Sequence, residues 1–326
     1  MSINLEANSP TLEQLPDTYL VSLNHYSAIA LTGEEKSKYL QGQVTCDVTI
    51  STEHSLLVGA HCDAKGKTFS VFRLLNRNDA HLLIQPESSI ESSMAELKKF
   101  GVFAKVDILK ADDLAIFALI GDDAETILKN NFSRIPDSLN PVVQSDSTTL
   151  VYISGRITRY LLIDSTSRLE NIIQGINLPV YSNNIWNLLE ISEGFVQLSH
   201  ESSGEYVPQM LNLQAIHGIS FTKGCYLGQE TVARMQYLGK NKKALFSLTT
   251  LLNQPVQNDD IIEKQLGENW RKAGDVLSTY QADDGTCYIQ AVLGHDVDSS
   301  TQLRIKSQPD AKVAVETLPY SLTVEE

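Results

Sequence analysis

The chain has 326 residues, 42% hydrophobic and 20% charged, the balance of an ordinary globular protein of two or three compact domains. Its net charge of −14 sets up a field that repels a phosphate backbone, which argues against direct nucleic-acid binding. No stretch approaches the roughly 18 apolar residues of a membrane span, and MSINLEANSP has no basic segment ahead of an apolar run. A soluble, cytoplasmic protein without membrane contact is therefore expected, with disorder confined to about the first dozen residues.

In chain order, residues 67–75 (KTFSVFRLL) read as a strand and residues 81–85 as its partner. Residues 91–100 read as an amphipathic helix, with Ile90, Met94 and Leu97 on one face and Gly101 placed to end it. Residues 114–120 form a buried strand and 122–129 a short helix. Residues 150–153 and 160–163 are further strands, and 185–191 lie in another helix. Strand pairs alternating with helices indicate an α+β fold with an antiparallel or mixed sheet. From residue 244 onward the chain changes character. Residues 244–250, 274–280, 286–293, 302–305 and 313–315 are short strands, with Asp283, Asp284 and Gly285 marking a turn. Such spacing indicates a small C-terminal antiparallel β-barrel. A boundary at 240–243 divides the chain into residues 1–240 and 241–326.

The cysteines are Cys46, Cys62, Cys225 and Cys287, and none belongs to a Cys-x-x-Cys pair. Free thiols are expected, and no metal centre. His61, Cys62 and Asp63 are adjacent, but neighbours on a strand point to opposite faces and do not share an ion. Asp112 and Asp113 read as a solvated turn before a buried strand.

One segment stands apart. Phe221 and Thr222 lead into Lys223, Gly224, Cys225, Tyr226, Leu227, Gly228, Gln229 and Glu230, so that glycines bracket a cysteine and a tyrosine. From Lys223 to Lys243 there are five basic residues (Lys223, Arg234, Lys240, Lys242, Lys243) and one acid. A positive neighbourhood favours thiolate, which would make Cys225 reactive. The alternative is an inert structural cysteine in a tight turn.

The run Lys-Gly-Cys-Tyr-x-Gly-Gln-Glu at 223–230 resembles the signature of the YgfZ family. Further blocks extend the resemblance over nearly the whole chain: Thr32-Gly33 with residues 39–45, residues 61–67, Pro208-Gln209 with Asn212-Leu213, residues 267–271, and residues 318–322. The resemblance implies a fold similar to the aminomethyltransferase of glycine cleavage, three domains in a ring around a central channel with a C-terminal barrel. It also implies tetrahydrofolate binding and support of iron–sulfur enzymes, including the radical enzymes that thiomethylate tRNA. Cys225 would then be the functional thiol. The alternative is a folate-dependent one-carbon transferase or demethylase; independent catalytic turnover is not expected.

Two aromatic positions associated with folate in that family fall here on Tyr26, where tryptophan is usual, and on Trp186. Read without the resemblance, Trp186 is a core residue sharing a helix face with Leu189, and Tyr26 an ordinary half-buried tyrosine. The aminomethyltransferases hold folate through a glutamate in Arg-x-Glu-Ala-Gly. The matching stretch is Glu190-Ile191-Ser192-Glu193-Gly194, without the arginine and with the glutamate one residue later. One residue on a helix is about 100° of rotation, so Glu193 is not expected to inherit the contact, and the pterin-edge contacts stay open.

Overall fold

A computed structural model describes residues 3–239, 241–257 and 260–322. The first part of the chain runs β1 (Thr18–Ser22), β2 (Tyr26–Thr32), α1 (Lys36–Gln41), β3 (Leu57–Cys62), β4 (Thr68–Arg77), β5 (Ala80–Pro86), α2 (Glu87–Gly101) and β6 (Asp107–Lys110). It continues with β7 (Leu114–Gly121), α3 (Ala124–Asn131), β8 (Val142–Ser145), β9 (Thr148–Ile153), β10 (Arg159–Ser165), α4 (Thr166–Ile176), β11 (Val180–Tyr181), α5 (Asn183–Ser192) and α6 (Gln229–Tyr237). The last part is all strand: β12 (Lys243–Leu251), β13 (Ile261–Leu266), β14 (Asn269–Gln281), β15 (Thr286–Gly294), β16 (Leu303–Ile305) and β17 (Gln308–Val315).

Among the described residues, these strands form two open sheets and a barrel. One sheet has the order β11-β1-β7-β10-β9-β8, the other β3-β4-β5-β2-β6. All pairings are antiparallel except β1 with β11. The barrel closes in the order β12-β15-β14-β13-β16-β17, where Leu248 and Thr249 pair with Val315 and Ala314. The α+β reading with an antiparallel C-terminal barrel thus matches the molecule.

The two sheets face each other, and α5 packs between them and the barrel. Ile116, Ala118, Leu161 and Ile163 of the first sheet share a core with Ala28, Leu82 and Ile84 of the second, with Ile185 and Leu189 of α5, and with Tyr280 and Tyr288 of the barrel. Phe117, Leu119, Tyr160 and Leu162 turn the other way, beneath α3 and α4. Both faces of β7 and β10 are therefore covered, which is why residues 114–120 are apolar without alternation. The far face of the second sheet buries Ile29, Leu31, Phe72, Leu74 and Leu83 under α1 and α2.

Three expectations shift. The helix read at 91–100 begins four residues earlier, because Ser89 and Ser93 occupy buried inward positions where apolar residues would have shown the period. Gly101 is its last helical residue, and a Cβ there would lie 3.1 Å from Ile108 Cδ1, so close packing explains the glycine. The N-terminal segment, where disorder was expected, ties the barrel to the first sheet. The Ser9 N–H donates to Asp283 Oδ2 (2.8 Å), the Tyr280 hydroxyl to the Pro10 carbonyl (2.7 Å), and the Glu6 N–H to the Val180 carbonyl (2.8 Å). Among the described residues no helix is long and apolar enough to cross a membrane.

Candidate functional site

Residues 223–230 lie at a junction of three sequence blocks. The Lys223 side chain turns inward, and its ammonium donates to the carbonyls of Val44 (2.8 Å) and Cys46 (2.6 Å). Burial holds its pKa down to about 8. The Leu227 N–H donates to the Gly42 carbonyl at 3.0 Å. Gly228 caps α6 in the left-handed region (φ +83°), and a Cβ there would stand 2.5 Å from the Asp63 carbonyl oxygen. Gly66, at φ +75°, meets Thr231 in the same way. The turn carrying Gly66 is fixed by Asp63 Oδ1, which accepts from the Lys65 and Lys67 N–H groups at 2.8 and 2.7 Å. Residues 39–45, 61–67 and 223–230 are thus one interlocked unit.

Its side chains divide by direction. Tyr226 is buried, with the Lys223 ammonium 5.2 Å from its ring centroid, and burial pushes its hydroxyl pKa well above the ordinary range. Cys225 is exposed, whereas the other three cysteines are buried. Gly224 has open space where a Cβ would stand, Gln229 begins α6, and Glu230 pairs with Arg234 one turn on at 3.3 Å. Lys223 is therefore engaged with carbonyls on the inner side of the loop and does not serve as the surface charge expected beside Cys225. Lys240 of the basic run lies outside the described residues.

A cavity of about 410 Å³ lies between the two sheets and the C-terminal segment. Arg73 and Arg159 line it, with Tyr152, Glu193, Phe195 and Tyr320. Both guanidiniums are held by Glu190, which is fully buried on α5. Arg73 is bidentate to it at 2.8 and 2.9 Å, and Arg159 Nη1 reaches Oε1 at 2.6 Å. Two cations share one carboxylate, and the carboxylate of Glu193 at the same cavity brings these charges into balance. Arg159 Nε has no hydrogen-bond partner among the described residues.

Trp186 and Tyr26 meet edge to face, centroids 6.4 Å apart and planes at 85°. Trp186 is completely buried and Tyr26 is 7% exposed; neither lines the cavity. Arg159 and Arg73 lie 4.8 and 5.7 Å from the Trp186 ring centroid, and Arg73 is 3.7 Å from that of Phe195. The aromatic pair underlies the guanidiniums, and these stand between Trp186 and the cavity.

Glu193 lines the cavity despite its displaced position. Glu193 is the C-cap of α5, still in the right-handed helical region, and its N–H donates to the Leu189 carbonyl at 2.9 Å, so the end of the helix sets its direction. Its Oε1 accepts from the Arg156 N–H at 3.0 Å. Tyr320 donates to the Gly194 carbonyl at 2.6 Å, which seats the C-terminal block on the cavity rim. Asp112 is exposed and pairs with Lys110 at 3.5 Å, apart from the cavity lining.

The model for the YgfZ β-barrel domain matches residues 241–308. The tRNA-modifying protein YgfZ of Colwellia psychrerythraea is 63% identical over 325 residues, covering 100% of both chains. The chain belongs to the YgfZ family. The YgfZ protein of Yersinia enterocolitica is 39% identical, over 96% of this chain and 95% of its own. The crystal structure of glycine cleavage system aminomethyltransferase T from Bartonella henselae superposes with a TM-score of 0.70, over 94% of this chain and 87% of that one, at 11% identity. The fold is therefore aminomethyltransferase-like. The YgfZ signature and the aromatic pair lie in different parts of it, bridged by the segment from cavity-lining Ile216 and His217 to Lys223. Sequence reasoning missed Arg73, Arg159 and Glu190; the available signal was a lone charge within each of the apolar runs around Arg73 and Glu190.

Proposed function

We propose that this protein binds tetrahydrofolate in the cavity between its two sheets and supports iron–sulfur enzymes through Cys225, acting in tRNA modification by way of such client enzymes. The cavity carries the reading. Its volume suits a small ligand, its walls include Tyr152, Phe195 and Tyr320, and Arg73, Arg159 and Glu193 supply polar groups. A pterin presents N–H donors beside a carbonyl acceptor on one ring edge. The Glu193 carboxylate suits the donors, and the orphaned Arg159 Nε suits an acceptor. Trp186 and Tyr26 contribute from beneath, by holding Arg159 and Arg73 in place. Tetrahydrofolate supplies a carrier of one-carbon units on its ring nitrogens. The family name borne by the relatives, tRNA-modifying protein, supports the link to tRNA.

Cys225 is the exposed thiol of the signature loop. A thiolate is a soft ligand for iron and a redox group, but one thiol does not complete a cluster, so the client provides the remaining ligands. The division into residues 1–240 and 241–326, arranged around a channel, is part of the proposal, as is a cytoplasmic location, which suits free thiols. Exposed Asp112 leaves the one-carbon transferase alternative without a carboxylate from that segment at the cavity.

Titration with tetrahydrofolate under anaerobic conditions tests the site, with emission read in a Trp270→Phe background so that only Trp186 reports. We expect a saturable change in emission, and binding about tenfold weaker or worse in Glu193→Gln and in Arg159→Gln. Trp186→Phe should abolish the optical signal. Full affinity in both polar variants, measured by calorimetry, would remove the cavity from the proposal.

A further inference from the structure

Exposure divides the lining of the cavity between the two sheets into a buried part and an open part. Arg73, Arg159 and Glu193 are buried. They are also engaged: both guanidiniums are held by Glu190, and Glu193 Oε1 accepts from the Arg156 and Ile157 N–H groups at 3.0 and 3.4 Å. Ser138, Ser154, His217 and Pro319 line the cavity and are exposed, so they mark its mouth. Of the Arg, Glu and His side chains that line the cavity, only the His217 ring forms no hydrogen bond or ion pair with the described residues.

The chain holds His217 at this place against strain. Its φ is +57°, in the left-handed region that glycine or asparagine enters more cheaply. The surroundings enforce the turn. The Ala215 N–H donates to the Asn212 carbonyl at 2.9 Å and the Gly218 N–H to the Leu213 carbonyl at 2.7 Å. The Thr45 hydroxyl then donates to the Gly218 carbonyl at 2.6 Å. Such a turn needs a backbone conformation and no ring, so the imidazole is an addition that the fold carries at a cost. Residues held this way cluster where ligands are clamped.

We propose that His217 is the anion-binding group at the mouth of the cavity: it takes a proton from solvent, pairs with a carboxylate of the tetrahydrofolate glutamate tail, and so sets the ligand's direction, pterin toward Arg159 and Glu193 and tail toward solvent. The inference rests on the tetrahydrofolate reading and adds to it an orientation and a pH dependence. In a chain of net charge −14 an anionic tail needs a local cation, and no lysine is among the lining residues. The other charged or titratable groups facing the cavity are Arg73 of β4, Arg159 of β10, Glu193 at the end of α5, Tyr152 of β9 and Tyr320 of the C-terminal segment. Guanidinium groups do not lose their proton in proteins, and burial holds the Tyr320 hydroxyl up at about 12. Imidazole is the side chain that changes charge between about pH 5 and 8, so tail binding is coupled to proton uptake in that range. A charged imidazole favours the tail, and binding therefore tightens as the pH falls.

The test is anaerobic calorimetry of the full-length protein with two ligands, tetrahydrofolate and 6-methyltetrahydropterin, which keeps the ring edge and lacks the tail. Each is measured at about pH 6 and pH 8, in the natural protein and in His217→Asn, a side chain that accepts the left-handed turn and carries no charge. Tetrahydrofolate should bind the natural protein about tenfold more tightly at the lower pH, with a heat that depends on the buffer because a proton is taken up. In His217→Asn that gain and the buffer dependence should both vanish. The variant also corrects for the general loss of negative charge at the lower pH. The methylpterin should bind the natural protein and the variant alike. The proposal is overturned if tetrahydrofolate binds both proteins equally at the lower pH, or if the methylpterin loses as much affinity as tetrahydrofolate, which would put His217 at the ring or in the fold. Both results leave the cavity as the folate site. Failure of either ligand to bind the natural protein at all would overturn the tetrahydrofolate reading and this inference together.

Discussion

Cys225 is exposed because its neighbours are anchored inward. Lys223, two residues earlier, is fastened to the Val44 and Cys46 carbonyls, and Tyr226, one residue later, is buried. The intervening thiol is left on the outer side of the loop. The remaining thiols are shielded, and burial raises their pKa values: Cys46 and Cys62 to about 12, Cys287 to about 11. Alkylation requires an accessible thiolate. Iodoacetamide at neutral pH should therefore label Cys225 about tenfold faster or more than the others, read by mass-spectrometric mapping. Cys225→Ser should fold normally and bind tetrahydrofolate as the natural protein does, because the cavity is lined elsewhere. It should fail to restore tRNA thiomethylation to a deletion strain, since a hydroxyl is neither a soft ligand nor a redox group. Equal labelling together with full complementation would reduce the loop to a structural turn.

The loop's position depends on how its elements meet, and there the two glycines decide. Gly228 starts α6 against the 63–67 turn with no room for a methyl group. Gly228→Ala should cost roughly 2–4 kcal/mol, from left-handed strain plus displacement of the Asp63 backbone. Gly239→Ala, also at positive φ but with no neighbouring atom, isolates the strain and should cost about 1 kcal/mol. Urea unfolding of both variants checks the difference; equal losses would mean that the close approach carries no energy. Legibility varies among the elements for similar local reasons. β7 was readable because covering both faces makes its sequence continuously apolar. β13 was not, because only Ile262 of its six residues is buried. α2 was half readable, since buried serines replace the apolar period in its first turns. The Glu190 cluster was unreadable as a unit, because its arginines come from 117 and 31 residues away.

Across the whole molecule, charge is organised against binding polyanions. The net charge is −14, and the stretch from Lys223 to Lys243 is its strongest local exception. Folding weakens that exception: the Lys223 ammonium is spent on internal carbonyls, and Arg234 is paired with Glu230. The lysines around β6 are likewise partly neutralised, Lys105 by Glu34 at 2.9 Å and Lys99 by Glu96 at 3.3 Å. Nucleic-acid affinity rests largely on cations free to displace counterions from phosphates, and among the described residues Lys223, Arg234, Lys99 and Lys105 are already engaged. On the proposed function, the role in tRNA modification would run through the modifying enzyme, without contact to its RNA. Purified protein at micromolar concentration should give no saturable anisotropy change with labelled tRNA near physiological ionic strength. Lowering the salt should not bring out a tight complex, because the long-range field opposes approach and strengthens as screening falls. Saturable binding that weakens steeply with added salt would reveal phosphate contacts and place the RNA on this protein directly.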